Sequence, residues 1–182
     1  MQEERKMIPV SNLTSIDNNM IVASSKVPAS LMLGNLIFEK RYDDAVKLGE
    51  ELLCKDKFSP MLNCNMMVLY YKLRKQDDQY VTKAIECARI AIIQGHNTGY
   101  CQQRLSGMLK KQKFYHKALQ LCDVVLSDNF KFSAHGCGSK DDFTKRRDFF
   151  AKHISNAADK SEDILFTSEE INEIFNNSTL LL

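Results

Sequence analysis

Tryptophan is absent from this sequence of 182 residues, and glycine and proline are scarce, at seven and three residues. An antiparallel sandwich or barrel needs many tight turns, in which glycine and proline are favoured. Their scarcity therefore argues against an all-β fold and favours helices. The net charge is only +2, and no apolar run reaches the roughly 18 residues of a membrane-spanning helix. Composition thus predicts a protein without membrane insertion and without bulk electrostatic attraction to nucleic acid.

Paired cysteine motifs are also missing, because none of the six cysteines belongs to a C-x-x-C pair. The N-terminal segment MQEERKMIPV lacks the apolar core of a secretory signal. These two features predict reduced thiols and a cytoplasmic location. Most of the cysteines stand among apolar residues, where the side chain acts as a small hydrophobic group.

The periodicity of apolar residues changes along the chain and divides it into segments. Residues 1–27 have no clear period and are predicted to form a flexible N-terminal arm. From Ala29 onward, apolar residues recur at helical spacing in paired segments joined by short polar turns. The sequence therefore predicts, in order, a helical repeat domain over 28–128, C-terminal capping helices over 139–176 and a tail over 177–182.

Three alanines mark an internal repeat within the helical domain. Ala45, Ala84 and Ala118 each open the second helix of a predicted pair, with separations of 39 and then 34 residues. Tyr42 and Tyr115 precede the first and third alanine by three residues. A small residue at such a position lets two helices approach closely, and one pair alone cannot bury its apolar face. The repeat therefore predicts that successive pairs stack.

The strings RYDDAVKLGEELL and KFYHKALQLCDVVL resemble the second helix of tetratricopeptide repeats. This resemblance covers roughly residues 29–127, and it is degenerate, since no tryptophan begins any first helix. It implies an all-α fold: a right-handed α-solenoid of about three helix-turn-helix pairs with a C-terminal helical cap. It also implies that Gly34 and Gly107 lie where a first helix crosses its partner.

The resemblance further implies a concave groove lined by the first helix of each pair. The function expected from it is a non-catalytic adaptor or scaffold that binds a protein or peptide segment, including an acidic one, with no small-molecule substrate and no cofactor. Its amides would pair with the ligand backbone, its aromatics would give contact area, and its cations would select acidic groups. The residues expected in the groove are Asn35, Phe38, Tyr71, Arg74, Tyr100, Gln103 and Lys110.

Other functions have weaker signals. A structural subunit of a larger or self-associating assembly is the main alternative. Catalysis by the Cys137 thiol would require a nearby base, which no motif supplies. His135 and Cys137 form a lone H-x-C pair, so no metal site is predicted. Short basic runs at 110–113 and 145–147 favour solvated helix faces over nucleic-acid binding.

Overall fold

The computed structural model describes residues 29–134, 136–154 and 164–179, and this part of the chain contains helices and no strand. The all-α expectation is therefore confirmed. The predicted arm at 1–27 and His135 lie outside the described residues. The described helices are α1 (Ala29–Phe38), α2 (Tyr42–Lys55), α3 (Pro60–Leu73), α4 (Gln79–Ile93), α5 (Tyr100–Lys111), α6 (Tyr115–Leu126), α7 (Lys140–Ile154) and α8 (Ser168–Thr179).

Local signals fix several helix ends. Pro60 occupies the first turn of α3, where its missing N–H costs nothing. Gly95 adopts a φ of 91° just after α4, as helix-terminating glycines do. At the start of α8, the backbone N–H of Glu170 donates to the Thr167 hydroxyl at 3.3 Å, and that of Thr167 donates to the Glu170 carboxylate at 3.0 Å. This reciprocal capping satisfies two N–H groups that the helix cannot.

Consecutive helices from α1 to α7 pack against one another, and α1 also contacts α3. The three repeat alanines, Ala45, Ala84 and Ala118, are completely buried in the second helices α2, α4 and α6. Small side chains at these points allow the helices to approach closely, as the internal repeat predicts. The core extends through all these helices and ends in a cluster of phenylalanines near α7.

The turns of the first and third pairs share one backbone conformation. Lys40 and Lys113 have φ values of 62° and 60°, although neither is glycine. The next residues, Arg41 and Phe114, have nearly identical angles, with φ −83° in both and ψ of 66° and 65°. Each of these two residues donates its N–H to the carbonyl five residues earlier. The first and third pairs therefore share the conformation of the turn that joins their helices.

The two glycines that were expected at close helix contacts do not lie at such contacts. A Cβ added at Gly34 or Gly107 would meet no atom within 4 Å, so neither glycine is needed for a helix crossing. Gly49 of α2 fills that role, because a Cβ there would overlap the Sδ of Met66 on α3. The tight contact therefore lies between the first and second pairs, and not inside a pair.

The C-terminal helices occupy two different places. α7 packs on α6, where it extends the row of helices. α8 instead lies against α4, and it continues to Thr179, beyond the predicted end of the capping helices at residue 176. None of the helices in the described ranges is both long and apolar enough to cross a membrane.

Candidate functional site

Two adjoining cavities follow the first helices α1, α3 and α5. They have volumes of about 570 and 110 Å³, and both are lined by Val68, Lys72 and Tyr100. We call their combined surface the first-helix groove. The complete lining is Gly34, Ile37, Phe38, Lys40, Cys64, Asn65, Met67, Val68, Tyr71, Lys72, Tyr100, Arg104 and Met108.

Three of the predicted groove residues line this groove. Phe38, at 88% exposure, stands at one end, and Tyr71 and Tyr100 line the part between α3 and α5. Asn35 is exposed on α1 but is not part of the lining. The aromatic component of the prediction is therefore brought together.

Tyr71 stands at the centre of a cationic group. The Arg74 guanidinium lies 4.2 Å from the centroid of its ring, and Lys111 Nζ donates to its hydroxyl at 2.8 Å. Such contacts stabilise a cation over an aromatic face while leaving its charge available to a ligand. Arg74 therefore contacts the groove residue Tyr71 but does not itself line the groove.

Gln103 and Lys110 are turned toward other partners. The Gln103 amide donates to the Cys137 carbonyl at 3.3 Å and to the Asp142 carboxylate at 3.4 Å. Lys110 Nζ lies 3.7 Å from the ring centroid of Phe149 on α7. Both side chains therefore help to hold α7 and the loop before it, and neither lines the first-helix groove.

Three groove cations escaped the sequence prediction: Lys40, Lys72 and Arg104. Lys72 and Arg104 line the groove, and the Arg104 guanidinium lies 5.2 Å from the ring centroid of Tyr100. Each stands four residues after another lining residue, Val68 and Tyr100 respectively, and so shares its helix face. That spacing is the signal in the sequence that could have identified both.

The charge of the groove has one sign. Its charged lining residues are Lys40, Lys72 and Arg104, and no carboxylate joins them in the lining. Within the described residues, none of the three forms an ion pair. Aromatic rings and cations without carboxylate partners suit a ligand that carries negative charge and apolar side chains.

A second group of functional side chains lies beneath the loop between α4 and α5. The sulfur atoms of Cys64 and Cys101 and one ring nitrogen of His96 all lie within 4.8 Å of one another. The three residues are at most 9% exposed. We call them the Cys–His cluster. Cys64 belongs to α3 and also lines the first-helix groove, whereas Cys101 lies in the first turn of α5.

The contacts inside the Cys–His cluster change the acidity of its thiols. A hydrogen bond with Cys101 lowers the pKa of Cys64, and His96 lowers it further, against the effect of burial. The same hydrogen bond, together with burial, raises the pKa of Cys101. The pair therefore loses one proton more readily than an isolated thiol would, and holds the second more tightly.

The loop that carries His96 is held from several sides. The buried Asn97 amide donates to the Lys131 carbonyl at 3.0 Å and to the Ser178 carbonyl at 3.1 Å. Gln102 donates to the carbonyl of His96 at 2.6 Å. Cys137, the candidate nucleophile, is exposed, and its backbone N–H donates to the Thr98 carbonyl at 2.7 Å.

The chain matches no protein-family model, no curated protein and no solved structure. The functional interpretation therefore rests on the chemistry and geometry of its own residues.

Proposed function

We propose that the chain is a non-catalytic binding module that holds an acidic, extended segment of a partner protein in the first-helix groove. In this proposal, α1 to α6 form three tetratricopeptide-like pairs arranged as a right-handed solenoid. The equal turns at Lys40 and Lys113 and the buried alanines of α2, α4 and α6 support such a repeat. The single observation that carries the function is the cation-only charge of the groove lining.

The division of labour within the groove follows from the side chains. Phe38, Tyr71 and Tyr100 offer apolar contact area at low conformational cost, as aromatic anchors do in many interfaces. Lys72 and Arg104 provide charge-assisted hydrogen bonds to Asp and Glu side chains. Arg104 is exposed and lies against an aromatic ring, so its planar guanidinium is oriented before a ligand arrives.

The test is a binding measurement with defined peptides. Fluorescein-labelled peptides that alternate Asp or Glu with Phe or Tyr are titrated with the protein, and fluorescence anisotropy gives Kd. Peptides of the same pattern with Lys or Arg as the charged residue serve as the opposite charge. We expect binding of the acidic set only.

The variants reverse cationic side chains on two different faces. Lys72→Glu with Arg104→Glu should weaken acidic-peptide binding by about 100-fold, since each lost charge-assisted bond costs about 1.5 kcal/mol or more. Lys83→Glu changes an α4 lysine that pairs with Glu50 and is outside the groove, so it should leave Kd unchanged. Equal affinity for both peptide sets, or an unchanged Kd in the double variant, contradicts the proposal.

Self-association is the second candidate, and one observation favours it. Most large apolar side chains that are exposed in the described residues belong to α1, to the α2–α3 loop or to the start of α3. They are Leu31, Met32, Phe38, Phe58 and Met61. Sedimentation velocity tests this candidate: a dimer that dissociates in Phe38→Ser with Phe58→Ser would support assembly through this end.

A further inference from the structure

We propose that Cys64, His96 and Cys101 form a binding site for one Zn²⁺ ion. This site does not depend on the binding function proposed above, because it is formed by buried side chains. Two cysteine sulfurs and an imidazole nitrogen are the ligand types that zinc takes most often in proteins. No one helix supplies the set: Cys64 comes from α3, His96 from the α4–α5 loop and Cys101 from α5.

The distances suit a tetrahedral ion. Zinc–sulfur bonds of about 2.3 Å and zinc–nitrogen bonds of about 2.0 Å place neighbouring ligand atoms about 3.5 to 3.8 Å apart. The three donor atoms of the Cys–His cluster already lie within 4.8 Å of one another. Binding therefore requires these atoms to approach one another by about 1.3 Å at most, which rotation of the side chains can supply.

The charges balance inside the protein. Two thiolates and one Zn²⁺ ion sum to zero, so the buried site carries no uncompensated charge. A bound metal ion deprotonates a coordinating thiol outright, so both cysteines would bind as thiolates.

The surroundings hold the imidazole in place. The Thr98 hydroxyl lies 3.5 Å from Nδ1 of His96, and Gln102 fixes the His96 carbonyl. Partners of this kind orient the ring of a metal-binding histidine. Cys64 also borders the first-helix groove, so water from the groove can fill the fourth coordination position. A bound ion would then join α3 to α5 and link the second and third pairs.

The experiment uses the full chain, reduced and stripped of metal, and titrates it with Co²⁺ and then Zn²⁺. We expect one Co²⁺ per chain, with thiolate-to-cobalt charge-transfer absorption and the visible bands of a tetrahedral ion. Zn²⁺ should then displace the cobalt. At a 100-fold excess over Kd, zinc should raise the Tm by about 5 to 10 °C.

Matched cysteines provide the controls. Cys64→Ala and Cys101→Ala should each lose the charge-transfer band and the zinc-dependent rise in Tm. Cys87→Ala and Cys122→Ala remove thiols of similar burial in α4 and α6 and should retain both. Circular dichroism of each variant shows whether the helices have formed.

Several results would overturn the zinc assignment. One is absence of cobalt absorption in the reduced wild-type protein, which needs no variant to interpret. Another is a Cys64–Cys101 disulfide that persists under reducing conditions, seen as a mass lower by two hydrogen atoms. Retention of metal binding in Cys101→Ala, or binding of Cu(I) without any binding of Zn²⁺, would also exclude the site as proposed.

Discussion

The first helices and the second helices present two faces that differ in how their charged side chains are paired. On the second-helix face, Arg89 of α4 pairs with Glu86 at 3.0 Å and with Glu170 of α8 at 2.6 Å. Gln94, directly after α4, likewise donates to Glu173 of α8 at 3.0 Å. The segment 164–179 covers part of this face, and the cavity of about 550 Å³ beside it is lined by charges of both signs.

The first-helix groove has neither feature. Its lining carries cations only, and no described helix lies over it as α8 lies over α4. Within the described ranges, the comparison teaches that α8 covers part of one face, whereas charged and aromatic side chains remain exposed on the other. This difference between the faces is the basis for the proposal that a partner binds at the first helices.

The largest expected effect comes from releasing the segment that covers the second-helix face, which tests whether that segment stabilises the protein. Gln120 of α6 accepts from the backbone N–H groups of Leu165 and Phe166, at 2.7 and 3.0 Å, and donates to the Phe166 carbonyl at 2.8 Å. Gln120→Ala leaves these three groups without their partner. We expect the free energy of unfolding to fall by about 2 to 3 kcal/mol, measured by urea denaturation.

Gln76→Ala is the matched control, because Gln76 is exposed in the α3–α4 turn. It should change stability by less than about 0.5 kcal/mol. Amide hydrogen exchange should also quicken over 164–179 in Gln120→Ala. A loss of stability no larger than that of the control would show that the segment is held by other contacts.

Glycine substitutions are expected to change stability by an intermediate amount, and they test how closely the first and second helices are packed. Gly49→Ala should destabilise the protein by about 1 to 3 kcal/mol, because the new Cβ overlaps the buried Met66 side chain. Gly34→Ala and Gly107→Ala, on first helices, meet open space and should stabilise it by about 0.5 to 1 kcal/mol each. Thermal unfolding measures all three. Destabilisation by Gly107→Ala equal to that of Gly49→Ala would mean that the first helices are as tightly covered as the second.

The smallest expected effect is a change in how stability depends on pH. Hydrogen bonds from its own backbone N–H and from the Thr167 side chain lower the pKa of Glu169 at the start of α8. Because the pKa is lower in the folded state, the stabilisation is complete above the unfolded value of about 4.3 and is lost as pH falls through the folded value. Glu169→Gln should therefore be slightly less stable than wild type at pH 7 and equal to it in acid.

Thermal unfolding at both pH values measures this difference, with Glu51→Gln as a control for removing an exposed carboxylate. A deficit of Glu169→Gln that persists unchanged in acid would assign the effect to something other than the ionised carboxylate.

The helices and their ends could be predicted because their signals are local. Pro60, Gly95 and the Thr167–Glu170 capping pair each act within one turn of their helix. The burial of Ala45, Ala84 and Ala118 could also be predicted, because the sequence repeats a small residue at the same place in each second helix. The place of α8 could not be predicted in this way, because it depends on contacts about 80 positions apart in the chain, such as Arg89 with Glu170.

The functional residues also differ in whether the repeat or distant contacts determine their positions. Tyr71 and Tyr100 are placed by the repeat, whereas Gln103 and Lys110 are taken by α7 and the loop before it, which have no counterpart in the repeat. The Cys–His cluster is invisible to motif spacing: His96 and Cys101 are five residues apart, and Cys64 precedes His96 by 32. Only the stacking of one pair on the next brings these side chains together.

The long reach of α8 has a consequence for synthesis. The contacts from α1 to α6 join neighbours in the chain, so these helices can pack as they leave the ribosome. Asn177, by contrast, donates to the carbonyl of Ile93, 84 positions earlier. A nascent chain therefore leaves the side of α4 that α8 covers exposed until residues 164–179 have been made, and in that interval it offers chaperones and other nascent chains a surface that the finished molecule covers.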